Sequence, residues 1–196
     1  MYVQGSTVVG IKVKEGVVIA ADKRYTLGNL VISGKAKKVH VINDKIVIGA
    51  AWMYADSQAI ASILKHELEY YKLSSKSHLS VKGVAKLLSS ILYSSKMLPY
   101  LTEVIVGGVD HTGPHLYVLD SLGGYSEEKY AALGTGATLS LGLLEDKFKE
   151  EITLEEAENL AIEAVKTAIK RDSLSGDGID IVSVSDKEVK EYSVHL

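Results

Sequence analysis

Cysteine is absent from the 196 residues, proline occurs only as Pro99 and Pro114, and there is one tryptophan and one phenylalanine. Without cysteine there is no disulfide scaffold, no thiolate metal site and no cysteine nucleophile. Two isolated prolines leave no proline-rich linker, and no repeat or low-complexity tract divides the chain, so one domain is expected. No run approaches the ~20 consecutive apolar residues of a membrane span, and Met1-Tyr2-Val3-Gln4-Gly5 is too short for a signal peptide. A soluble, cytoplasmic protein with no membrane partner is expected. The formal net charge of −3 lacks the basic excess of a nucleic-acid binder, so no nucleic acid is expected as partner either.

What is present is patterned apolar sequence. Ser6 to Lys14 and Val17 to Ala21 read as strands around a Glu15-Gly16 turn, and Lys38 to Ile42 and Lys45 to Ala51 as a second pair around Asn43-Asp44. The period then lengthens: Ala55, Ala59, Ile60, Ile63, Leu64 and Leu68 predict a helix over Tyr54 to Tyr71. Val84, Leu87, Leu88, Ile91 and Leu92 predict a second, ending at Met97 before Pro99. Strands return at Thr102 to Val109, His115 to Leu119 and Lys129 to Leu133. Helices follow at Thr138 to Phe148 and after the Thr153/Glu156 capping pattern, then strands at Ile179 to Val184 and Val189 to Val194. Helices in consecutive pairs argue against a doubly wound parallel sheet. Periodicity alone reaches a layered α/β domain; two antiparallel sheets face to face, with a helix pair on each outer side, would satisfy it.

Four segments carry a resemblance: Gly5-Ser6-Thr7-Val8-Val9-Gly10-Ile11, Val18-Ile19-Ala20-Ala21-Asp22-Lys23-Arg24, Lys37-Lys38-Val39 and Arg171-Asp172-Ser173-Leu174-Ser175-Gly176. Ala55-Asp56-Ser57-Gln58 and Gly107-Gly108-Val109-Asp110 fall between them in order. Together they resemble the β-type subunits of the 20S proteasome over essentially the whole chain. The resemblance implies a four-layer αββα sandwich of two antiparallel sheets, the N-terminal-nucleophile hydrolase fold. It also implies a short leader over residues 1–5 before a single domain over 6–196. The implied partners are α-type ring subunits, another, active β-type subunit, ATPase regulators at one remove and unfolded polypeptide as substrate. No cofactor and no metal are implied.

The family's chemistry gives each matched position a role. A hydroxyl needs an adjacent base, and cleavage after Gly5 would free an α-amine whose pKa lies near 8. Asp22 and Lys38 match the family's acid and lysine, and Asp172 and Ser175 the pair that orders the nucleophile. Arg24, Tyr25, Thr26, Ala50 and Tyr54 match positions along the substrate strand and pocket. Counting back from Asp22 and Lys38 puts the nucleophile at Ser6, or at Thr7 if the register slips by one, which would turn the side chain to the opposite face.

Three departures fall inside this set. Ser6 lacks the β-methyl that restricts χ1 of threonine. Trp52 stands where active members have a glycine whose N–H forms the oxyanion hole, and its indole is expected to crowd the substrate groove. Ala137 replaces a serine beside the nucleophile. A structural role with a degenerate site is therefore expected, the alternative being a self-processing Ser/Thr-type endopeptidase. Plainer readings compete residue by residue: Lys37-Lys38 as a solvated pair, Trp52 as a core aromatic, Gly134-x-Gly136 as a phosphate loop and His111/His115 as a metal pair.

Overall fold

The computed structural model describes residues 4–196. Six strands come first: β1 (Thr7–Val13), β2 (Gly16–Asp22), β3 (Tyr25–Leu27), β4 (Leu30–Ser33), β5 (Val39–Val41) and β6 (Ile46–Trp52). Two helices follow, α1 (Tyr54–Ser75) and α2 (Val81–Ser94), then β7 (Thr102–Asp110), β8 (Gly113–Leu119), β9 (Tyr125–Glu127) and β10 (Tyr130–Gly134). Helices α3 (Ala137–Lys147) and α4 (Leu154–Ile169) precede β11 (Ile179–Ser185) and β12 (Val189–Val194). One antiparallel sheet has the order β10-β1-β2-β11-β12 and the other β5-β6-β7-β8-β9.

The central strands of these sheets are covered on both faces, which is why β2 reads as an unbroken apolar run. Val17, Ile19 and Ala21 point between the sheets, with Val8, Val47, Ala51 and Ile105. The alternate residues Val18 and Ala20 point outward, onto Ala157, Ala161, Ala164 and Val165 of α4. In β6 the same alternation sends Ile46, Ile48 and Ala50 onto Ile60, Leu64, Leu88 and Leu92 of α1 and α2. Three apolar layers thus separate four layers of secondary structure, the αββα sandwich. Helix α4 begins with the capping box read from the sequence: Thr153 Oγ1 accepts from Glu156 N at 3.2 Å, and Glu156 accepts from Thr153 N at 2.8 Å.

Three elements differ from the expectation. Helix α1 runs on to Ser75, where Lys76 takes a left-handed φ of 53°. Helix α2 stops at Ser94, short of Met97, where the chain tightens into i→i−3 turns: Ser95 N donates to Leu92 O and Lys96 N to Tyr93 O, each at 3.1 Å. The β3–β4 hairpin and β9 escaped the period-2 pattern: they are three or four residues long, and Leu30, Val31 and Ile32 are exposed in succession.

Candidate active site

Antiparallel register brings distant segments to one end of the sandwich. Thr7 pairs with Gly134 and Val8 with Ala21, while Ile179 pairs with Asp22. The start of β1, the ends of β2 and β10, and the loop before β11 therefore meet. Lys38 arrives on the segment entering β5, and its carbonyl accepts from Ala50 N of β6 at 3.0 Å.

Asp22 and Lys38 form the buried centre of this region. Lys38 Nζ donates to Asp22 Oδ1 at 2.7 Å, with the Asp22 side chain fully buried and that of Lys38 6% exposed. Asp22 Oδ1 also accepts from Thr7 N at 2.8 Å, and Oδ2 from Arg24 N at 3.0 Å and Gly176 N at 2.9 Å. Four donors fill the acceptor capacity of one carboxylate. Burial pushes the pKa of Lys38 below the ordinary lysine range, and the attraction of Asp22 only partly opposes it.

A second cluster lies across β1. Ser175 Oγ donates to Asp172 Oδ2 at 2.7 Å, and Thr7 Oγ1 lies 2.8 Å from Ser175 Oγ. Thr135 Oγ1 donates to the same Asp172 oxygen at 2.6 Å and accepts from Ser6 N at 3.2 Å. The glycines flanking Thr135 permit this approach. A Cβ on Gly136 would meet Thr7 Oγ1 at 2.1 Å, and one on Gly134, whose φ is +89°, would meet the Ser6 carbonyl oxygen at 2.2 Å.

Ser6 and Thr7 point to different partners, as neighbours on an extended chain must. Thr7 belongs to the Ser175–Asp172 relay, whereas Ser6 Oγ accepts from the backbone N–H of Trp52 at 3.2 Å. Among the described residues no other hydrogen bond reaches that hydroxyl. The backbone N–H at position 52, expected as an oxyanion donor, thus reaches Ser6 Oγ. Trp52 has φ +76°, a region glycine enters freely and tryptophan only under constraint. Its indole turns to β7. Nε1 donates to Glu103 Oε2 at 2.8 Å, and the ring packs against the inter-sheet core.

The remaining predicted residues are distributed around this centre. Arg24 grips Asp177 through two hydrogen bonds, at 2.8 and 3.1 Å, and donates to the Ser173 carbonyl at 3.0 Å, bracing the loop that carries Asp172 and Ser175. Tyr25 and Tyr54 lie against each other with ring centroids 5.2 Å apart. Thr26 is buried, and its hydroxyl is the one buried side-chain polar atom without a partner among the described residues. Ala50, 2% exposed, lies in the helix-side core. Ala137 opens α3. Of the leader expected over residues 1–5, the first three lie outside the described residues. Gln4 Oε1 accepts from Tyr54 N at 2.9 Å, supplying the cap that Met53 does not give α1, and Gly5 is buried against Leu174 and Thr135. Gly134-x-Gly136 holds Thr7 and Ser6 rather than leaving a free phosphate cradle. His115, one of the histidine pair, has both ring nitrogens within hydrogen-bond distance of Thr112 Oγ1 and Glu127.

Thr135, Glu103 and Gln4 had no assigned role in the sequence. Thr135 stood inside a quoted motif between two glycines, which is a usable signal for close approach. Nothing marked Glu103 or Gln4.

His40, beside the site on β5, is held by burial at a pKa of about 4, its ring 3.4 Å from Ser57 Oγ. The unfolded value is near 6.5, so folding favours the neutral ring. Its contribution is complete above pH 6.5 and is lost as pH falls through the window from 6.5 to 4. Urea titrations at pH 7 and pH 4.5 should show that His40→Gln removes about 2 kcal/mol of the acid-induced loss of stability, after allowance for solvent screening.

Comparison with known proteins adds three findings. The family described as "Proteasome subunit" matches residues 2–184. The chain is 49% identical to proteasome subunit beta 1 of Ignicoccus hospitalis over 180 residues, covering 92% of this chain and 90% of that protein. It is 48% identical to proteasome subunit beta 2 of Pyrobaculum neutrophilum over 192 residues, covering 98% and 95% respectively.

Proposed function

The chain belongs to the proteasome β-subunit family, and from that premise we propose that it fills β-ring positions of the 20S core as a structural and assembly subunit with a silent site. It stands beside α-type rings and another, active β-type subunit, in a cytoplasmic particle that receives unfolded polypeptide from ATPase regulators. The observation that carries the reading is the state of Ser6. Its hydroxyl accepts the Trp52 N–H, and Lys38, the lysine matched to the family's site, has its ammonium on Asp22. A nucleophile that spends a lone pair on the oxyanion donor attacks poorly, and that donor is no longer free for the carbonyl oxygen on which charge develops. In this reading residues 1–5 stay attached, with Gln4 and Gly5 lodged between α1 and Leu174.

A second reading has one observation in its favour: Asp22, Lys38, Asp172, Ser175 and the position-52 N–H all converge on Ser6 and Thr7. Under it, Ser6 would cleave the bond after Gly5 and work as an N-terminal nucleophile. The intact mass of the subunit, taken from a particle co-assembled with α- and β-type partners, separates the two. The structural reading expects a mass that includes residues 1–5. A chain starting at Ser6 that reverts to full length on Ser6→Ala would establish the peptidase instead.

A further inference from the structure

Trp52 holds a left-handed backbone where the intrinsic preference of a side-chain-bearing residue is against it, so its surroundings must fix that conformation. The β6–β7 ladder fixes the chain on either side. Ala51 O accepts from Thr102 Oγ1 at 2.8 Å, and Met53 N donates to Leu101 O at 2.9 Å. With both flanks pinned, only rotation within residue 52 itself remains. Its indole is held by packing on the inter-sheet core and by one directional contact, the hydrogen bond from Nε1 to Glu103 Oε2 at 2.8 Å. Returning φ to the negative side would swing either the indole off Glu103 or the N–H off Ser6 Oγ.

We infer that Glu103 is a positioning residue: by anchoring the indole of Trp52 it holds the backbone N–H of residue 52 on the Ser6 hydroxyl. Glu103 pairs with Ala51 on the adjacent strand and touches neither Ser6 nor Lys38 among its hydrogen bonds, so it acts only through Trp52. The consequence is that the silent state of Ser6 is maintained from β7. The inference rests on the reading that Ser6 and Trp52 belong to one site.

Trp52 is the only tryptophan of the chain. Labelling this subunit alone with [15N]tryptophan therefore gives one backbone amide signal and one indole signal, even within an assembled particle. Glu103→Ala is expected to shift the indole signal and to speed hydrogen exchange of the backbone amide at least about ten-fold, since that amide would no longer be locally held. Glu103→Gln, which keeps an oxygen acceptor, should restore most of the protection. If alanine prevents folding, Glu103→Leu of similar length takes its place with the same expectation. An indole shift with unchanged amide shift and exchange would overturn the inference, because Glu103 would then anchor the ring alone. Ser6→Ala reads the underlying assignment separately: it should move the amide signal and spare the indole. No movement on Ser6→Ala would sink the Ser6–Trp52 site itself, whatever Glu103 does.

Discussion

Particles in which this chain carries Trp52→Gly with Ala137→Ser, beside a β-type partner whose own nucleophile is disabled, are expected to cleave small peptide substrates about 10²–10³-fold faster than particles with the unaltered chain. Glycine at position 52 keeps the N–H and adopts φ +76° without strain. It also abolishes the indole anchor on Glu103, leaving the peptide free to turn its N–H from the Ser6 hydroxyl toward a substrate carbonyl. Ala137→Ser adds a hydroxyl at the start of α3, two residues along the chain from Thr135, whose Oγ1 accepts from Ser6 N. Adding Ser6→Thr should raise the rate again, since the β-methyl restricts χ1 and limits the freedom that lets the hydroxyl settle on the N–H of residue 52. Leader removal, read by intact mass, should accompany the gain. Rates equal to those of the unaltered particle in both variants would mean that neither Trp52 nor Ala137 silences the site.

Asp22→Ala is expected to lower the melting temperature by on the order of 10 °C, the largest loss of any single substitution in the site. The carboxylate is fully buried and accepts from Lys38 Nζ, Thr7 N, Arg24 N and Gly176 N. Deleting it strands a buried ammonium and three backbone donors. Breaking a buried pair on one side costs about 3–5 kcal/mol, and in a chain of this size each kcal/mol moves the midpoint by roughly 2–4 °C. Lys38→Met in the same chain should recover part of the loss by removing the stranded charge. Calorimetry of the single and double variants gives the coupling directly. A single-variant drop below about 3 °C, or no recovery in the double variant, would show that the pair is not what holds this end of the sandwich together.

The two predictions rest on different kinds of information. Asp22, Lys38, Asp172 and Ser175 were named from ordered motifs, and they meet in space because strand register is dictated by the apolar pattern. Val17, Ile19 and Ala21 must face one core and Val18 and Ala20 the other, and that alternation fixes where Asp22 ends up. The same alternation, with the longer period of α1, α2 and α4, reached a layered α/β domain, and the family resemblance supplied the four-layer sandwich. The short β3–β4 hairpin was not legible, because its exposed apolar residues carry no period.

The direction of individual side chains at the site belongs to the tertiary structure alone. Trp52 was expected in the groove, and its indole lies on Glu103, 51 residues away in the chain. Thr135 supplies the contact to Ser6 N across 129 residues. Sequence periodicity sets which face of a strand a residue occupies, and so it shaped the layering and the register, while the motifs shared with the family named Asp22 and Lys38. It says nothing of φ at a strand end or of a rotamer, since both are chosen by partners that only the packed fold brings within hydrogen-bond reach. Whether Ser6 faces a base or an oxyanion donor was decided there.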